Sequence, residues 1–154
     1  MVPNILIGVM IFFGGICQFL SGIMEMVAGN TFGATVFPAY GAFNLAYAMI
    51  FLPGSGILAA YTDKATGELM PEFSQALAIW FWGWFILTCI LTVAAVRSSW
   101  PLFGALLIFC VELILLASGY MTDNSHCLTA ANSLGFIVAF LACELPPTSF
   151  DIEP

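Results

Sequence analysis

Gln18 and Glu25 lie seven residues apart in an otherwise apolar stretch, with Gly15, Gly22 and Gly29 spaced around them. The steps are three, four, three and four, so a helix would put all five on one face. A second set follows at steps of four, three, four and three: Gly33, Phe37, Tyr40, Asn44 and Tyr47. Apart from Glu25, these amides and phenols donate and accept hydrogen bonds without a fixed charge. Such chemistry suits weak binding and passage of a small polar solute better than bond breaking. The chain has no nucleophile–base pair at a telling spacing, no HExxH run and no phosphate loop, so no enzyme is expected. The five cysteines form no CxxC, and His126 has only Asp123 beside it. Neither a metal site nor a cofactor is expected.

The elements that must carry these residues follow from composition. The 154 residues are 62% hydrophobic and 7% charged, where a soluble domain is about a quarter charged. The chain reads as an integral, multi-pass membrane protein whose solvent is the lipid bilayer. Nine acids against two bases give a net charge of −7, which argues against nucleic acid as a partner. Five apolar runs stand out, at roughly 5–28, 32–52, 73–96, 99–121 and 128–143. No alternating strand pattern appears. The fold class is therefore all-α, a polytopic transmembrane helix bundle of about five spans over residues 1–144, with a short acidic tail at 145–154. Glu144 and Pro146–Pro147 stop the last run. Residues 5–28 lack a basic lead and do not read as a signal peptide.

Short connectors at 29–31 and 97–99 make their flanking helices antiparallel neighbours, and residues 53–72 form the one long loop. Arg97 is the base beside a span, which puts the 97–99 turn and the 29–31 turn in the cytoplasm and the acidic long loop outside.

Each polar position admits two readings. The glycines form a packing seam, or they make room for a passage. Glu25, at the end of its helix and disfavoured by that helix's dipole, is a solvated interfacial carboxylate or a titratable group lining a path. Pro38 should free the carbonyl of Ala34 and bend the second helix, and Tyr40, Asn44 and Tyr47 either pack or line a wet cavity. "WFWGW" at 80–84 reads as core or lipid-facing bulk. Glu112, in the middle of "FCVELILL", must be neutral, paired or facing a cavity.

The stretch "FGGICQFLSGIMEMVAGNTFGATVFPAYGAF" resembles the second and third helices of the acetate uptake transporter (AceTr) family. That family includes bacterial succinate–acetate permeases and fungal acetate/ammonia export proteins. The shared pattern is GG-x-x-Q-x-x-x-G-x-x-E, then NTFG, then YG-x-F, and "GILAAY", "GW" and "LLASG" match more loosely. The resemblance spans about residues 2–142 and implies a six-helix protomer in a hexamer. Each protomer would hold a channel-like path with a narrow hydrophobic waist that passes acetate or a similar small monocarboxylate, with a coupled proton, with ammonium or passively. Tyr40 would be the waist tyrosine, and Gln18 and Glu25 the polar residues of the second family helix. Phe109 aligns with the waist leucine of the fifth helix, Asn44 replaces a tryptophan, and Glu112 stands where the family is uncharged. Gly15, Gly22, Asn30, Thr31, Gly33 and Gly41 would shape the turn and the packing.

The family's opening helix with its NPAPLGL motif is not found, and the ending departs after about Ala142. The resemblance thus implies a chain truncated at both ends. Two functions follow from it: a homo-oligomeric plasma-membrane transporter, or a transport-incompetent subunit that assembles with or modulates full-length relatives.

Overall fold

The computed structural model describes residues 4–98 and 100–143. In chain order they form α1 (Asn4–Val9), a π-helical stretch (Met10–Cys17), α2 (Gln18–Val27), α3 (Gly33–Phe51), α4 (Ile57–Ala60), α5 (Pro71–Ala95), α6 (Trp100–Thr122) and α7 (Ser125–Cys143). The fold is all-α. Among the described residues β pairing is confined to an isolated bridge between Thr62 and Leu69 in the long loop. Four helical segments are long and apolar enough to cross a bilayer: Ile5–Val27, Gly33–Phe51, Pro71–Ala95 and Trp100–Thr122. The fifth, Ser125–Leu141, is shorter.

Helix ends differ from the sequence reading for local reasons. α5 begins at Pro71, because proline at the first helical position gives up only an N–H that has no partner there. α7 begins at Ser125 because Asn124 caps it, its Oδ1 accepting from the backbone N–H of His126 at 3.0 Å and of Cys127 at 3.4 Å. The acidic tail, Glu144 and the two prolines after it lie outside the described residues.

Contacts divide the chain into two compact units, Met1–Leu69 and Met70–Pro154. In the first, α2 and the π-helical stretch pack on α3. Val36 and Ala48 are fully enclosed there. In the second, α5 packs on α6 and α6 on α7. Phe81, in the middle of the tryptophan-rich run, stacks on Tyr120 of α6 with ring centroids 5.7 Å apart. The neighbouring rings Trp80 and Trp84 meet edge to face. The buried hydroxyls of Thr88 and Thr92 satisfy themselves by donating to the carbonyls of Trp84 and Thr88, one turn back.

Contacts across α5 and α6 rise in number on one helix as they fall on the other, from Phe81 with Tyr120 to Cys89 and Thr92 with Cys110. This is an antiparallel pair, as the tight turn after Ala95 requires. The Sγ atoms of Cys89 and Cys110 are 3.9 Å apart. Copper–phenanthroline oxidation of the full-length protein is therefore expected to join α5 to α6. Trypsin cuts after Lys64 and, in the turn, after Arg97, yet the two fragments that flank Arg97 should run together on a gel until reduced. Cys110→Ser should release them. Fragments that separate in the oxidised wild type would refute this register.

Candidate functional site

The first unit holds the polar positions, and its geometry begins at the turn. α2 ends in a Schellman motif. Gly29 adopts φ 83°, a left-handed conformation that a residue without Cβ takes at no steric cost. Its N–H reaches the Met26 carbonyl at 3.2 Å, and the Asn30 N–H reaches the Glu25 carbonyl at 2.9 Å. Gly29 is thus a turn residue; the polar stripe on the helix face ends at Glu25. Asn30 then opens α3, its Oδ1 accepting from the Gly33 N–H at 3.1 Å and its carbonyl from the Ala34 N–H at 2.9 Å. Thr31 contributes its carbonyl to the Thr35 hydroxyl at 2.9 Å.

Glu25 is drawn into this turn. Asn30 Nδ2 donates to Glu25 Oε2 at 2.6 Å. A Cβ on Gly33 would lie 3.0 Å from that oxygen, so the carboxylate sits over the first turn of α3. The dipole of the helix that carries Glu25 disfavours a carboxylate at its end. The N-terminus of the next helix supplies the opposite field at close range. Asn30→Ala removes both the cap and the carboxylate's donor, and is expected to lower stability by about 2 kcal/mol. Thermal unfolding in detergent measures this; an unchanged midpoint would show that the turn holds without the side chain.

Gln18 and Asn44 meet between the helices. Asn44 Nδ2 donates to Gln18 Oε1 at 3.3 Å and to the Tyr40 carbonyl, one turn back, at 2.9 Å. Both side chains are half-buried, and Tyr40 is only 7% exposed. Both amides lie near the middle of their apolar segments. Gly14, which sequence reasoning passed over, makes the room: a Cβ there would lie 2.9 Å from Asn44 Cγ. Its place in a GG pair was the available signal.

Gly15 abuts Leu45, and Gly41 lies against backbone, where a Cβ would meet the Gly15 carbonyl oxygen at 3.0 Å and the Phe19 nitrogen at 3.1 Å. Gly22 is pressed against the ring of Pro38. The bend expected at Pro38 thus coincides with a close approach of α2 and α3. Close backbone approach of this kind is how helices associate in lipid. The π-helical stretch was not legible in advance. It carries Gly14 and Gly15 and ends immediately before Gln18. Tyr47, assigned to the same face as Tyr40, instead joins an aromatic ladder, stacked on Phe43 and edge-on to Phe51.

Phe109 is half-buried in α6 of the second unit, and Glu112 lies one turn further along. Glu112 faces Gly135 of α7, where a Cβ would lie 2.6 Å from Glu112 Oε1. Among the described residues no group of three or more His, Cys, Asp and Glu side chains could hold a metal ion.

Long apolar helices, close glycine seams and amides facing one another at mid-depth define a multi-pass membrane protein with a polar interhelical site. The chain belongs to the GPR1/FUN34/yaaH family, whose pattern matches residues 1–144. It is similar to accumulation of dyads protein 2 of Saccharomyces cerevisiae, at 36% identity over 141 residues, covering 92% of this chain and 48% of that protein. It is similar to acetate permease A of Emericella nidulans, at 35% identity over 147 residues, covering 91% of this chain and 49% of that protein. The solved structure of the bacterial acetate channel SatP superposes with a TM-score of 0.76 at 27% identity, covering 92% of this chain and 72% of that one. The chain spans about half the length of the curated relatives it matches.

Proposed function

We propose that this chain carries acetate, or a similarly small monocarboxylate, across the plasma membrane along a path to which Gln18, Tyr40 and Asn44 contribute. The observation that supports this most is the meeting of Gln18 and Asn44 beside the Tyr40 backbone, in the middle of apolar segments. The Gln18–Asn44 bond is long, so either amide can turn to a passing carboxylate at small cost. Neutral donors bind an anion weakly enough to release it, which conduction requires. The likeness to proteins named for acetate adds weight to the substrate class.

In this reading Glu25 anchors the α2–α3 turn, and Gly15, Gly22, Gly33 and Gly41 hold the two helices at the required distance. The chain works as a homo-oligomer, a hexamer by family resemblance, and catalyses no covalent chemistry.

The test is uptake of labelled acetate by cells that lack their own acetate carriers and express this chain. Tyr40→Ala is expected to cut uptake at least about tenfold, a barrier change of roughly 1.4 kcal/mol, at unchanged membrane abundance. Uptake equal to wild type in that variant would remove Tyr40 from the path, and no uptake by the wild type would sink the reading as a whole.

A further inference from the structure

Glu112 lies near the middle of the Trp100–Thr122 segment, where a bilayer is driest. Its Oε2 is buried and has no hydrogen-bond partner among the described residues. Its Oε1 is pressed against the backbone of α7 at Gly135. A carboxylate ion without a donor in such a place loses its hydration and regains nothing, whereas the neutral acid loses far less. A basic partner would change that balance, so the groups on each packed helix decide the matter.

Glu112 faces α7. The titratable groups described on α7 are His126 and Cys127, at its start. They lie eight or nine residues before Gly135, or about 12–14 Å along the axis at ~1.5 Å per residue. On α5 the groups are Glu72 at its start, Cys89, and Arg97 in the turn beyond its end. Cys89 pairs with Cys110. Cys110 precedes Glu112 by two residues and so points to the opposite side of α6. On α6 itself, Tyr120 stacks toward α5, and Asp123 follows the helix end. No cation among them reaches Glu112.

We propose that Glu112 is a membrane-embedded proton-binding site in the α6–α7 seam, whose proton leaves only when the two helices part. The neutral acid fits against Gly135, while the ion needs water that the closed seam excludes. Proton release and seam opening are therefore one linked equilibrium, each promoting the other. Resting on the transport reading, this would make Glu112 the group through which an external proton biases the α6–α7 arrangement during acetate movement.

The first experiment needs no transport. Dicyclohexylcarbodiimide, an apolar reagent, adds a protonated carboxyl across its C=N bond with no leaving group. The full-length protein in native membranes is treated at neutral pH, and the tryptic fragment beginning at Ser98 is sequenced by mass spectrometry. The adduct is expected on Glu112, with Asp123 unmodified, and lost in Glu112→Gln. Absence of the adduct from wild-type Glu112 would overturn the site.

The second experiment is thermal unfolding across pH. Glu112→Gln copies the neutral acid, so it should melt at least as high as wild type, with the gap widening as pH rises. A variant that melts well below wild type at neutral pH would instead reveal a paired carboxylate. In the uptake assay, Glu112→Gln should retain acetate entry but lose its dependence on an imposed proton gradient. Retained gradient dependence would overturn the coupling role. If wild-type uptake is absent while labelling succeeds, the transport reading fails and the proton site stands.

Discussion

Gly22→Ala is expected to destabilise the α2–α3 hairpin by about 2 kcal/mol or more. The added methyl would sit on the Pro38 ring, in contact with both Cγ and Cδ. A pyrrolidine ring has no rotamer to retreat into, and α3 is fixed at that point by its own packing, so the helices must move apart. Moving apart undoes the neighbouring contacts at Gly41 and Leu45, which depend on the same interaxial distance. Gly83→Ala supplies the control. A Cβ at Gly83 meets nothing within 4 Å, so the same chemical change there should gain roughly 0.5–1 kcal/mol from helix propensity alone. The measurement is the unfolding midpoint of the two purified variants in detergent. Opposite signs are expected, and equal shifts would mean that Gly22 is not in a tight seam.

Phe81→Ala is expected to cost about 3 kcal/mol in the second unit. Phe81 is 1% exposed, stacks on Tyr120 and meets Trp80 edge to face at 5.1 Å. In lipid the transfer term is small, because the surroundings are as apolar as the core. What remains is the loss of dispersion and ring contacts around a void that lipid chains cannot fill. Ile86→Ala, on a residue 60% exposed, should stay within about 0.5 kcal/mol. A Phe81 variant as stable as the Ile86 variant would show that α5 and α6 are not held together at this level.

Much of this architecture is legible in the chain. Apolar runs of span length need no knowledge of their neighbours, because hydropathy adds up locally, and four full-length segments and a shorter fifth follow from it. "GNT" signals a turn because glycine and asparagine carry the left-handed cap and the new N-cap. The same pairing of a Schellman ending with an Asn N-cap recurs at Asp123–Asn124, with Asp123 at φ 51° and the Asn124 N–H on the Gly119 carbonyl. That second turn was harder to see, since aspartate rather than glycine takes the strained position.

The sequence by itself determined which residues share a helix face: Gly15, Gln18, Gly22 and Glu25 on one, Tyr40 and Asn44 on the next. Only the tertiary structure decided what each of them meets. It brought Asn44 to Gln18 with Gly14 making the space, Gly22 to Pro38, Glu25 to the start of the following helix and Glu112 to Gly135. Periodicity fixes the direction of a side chain relative to its own axis. The partner depends on the rotation and sliding of one helix against another, and those are set by all the seam contacts at once.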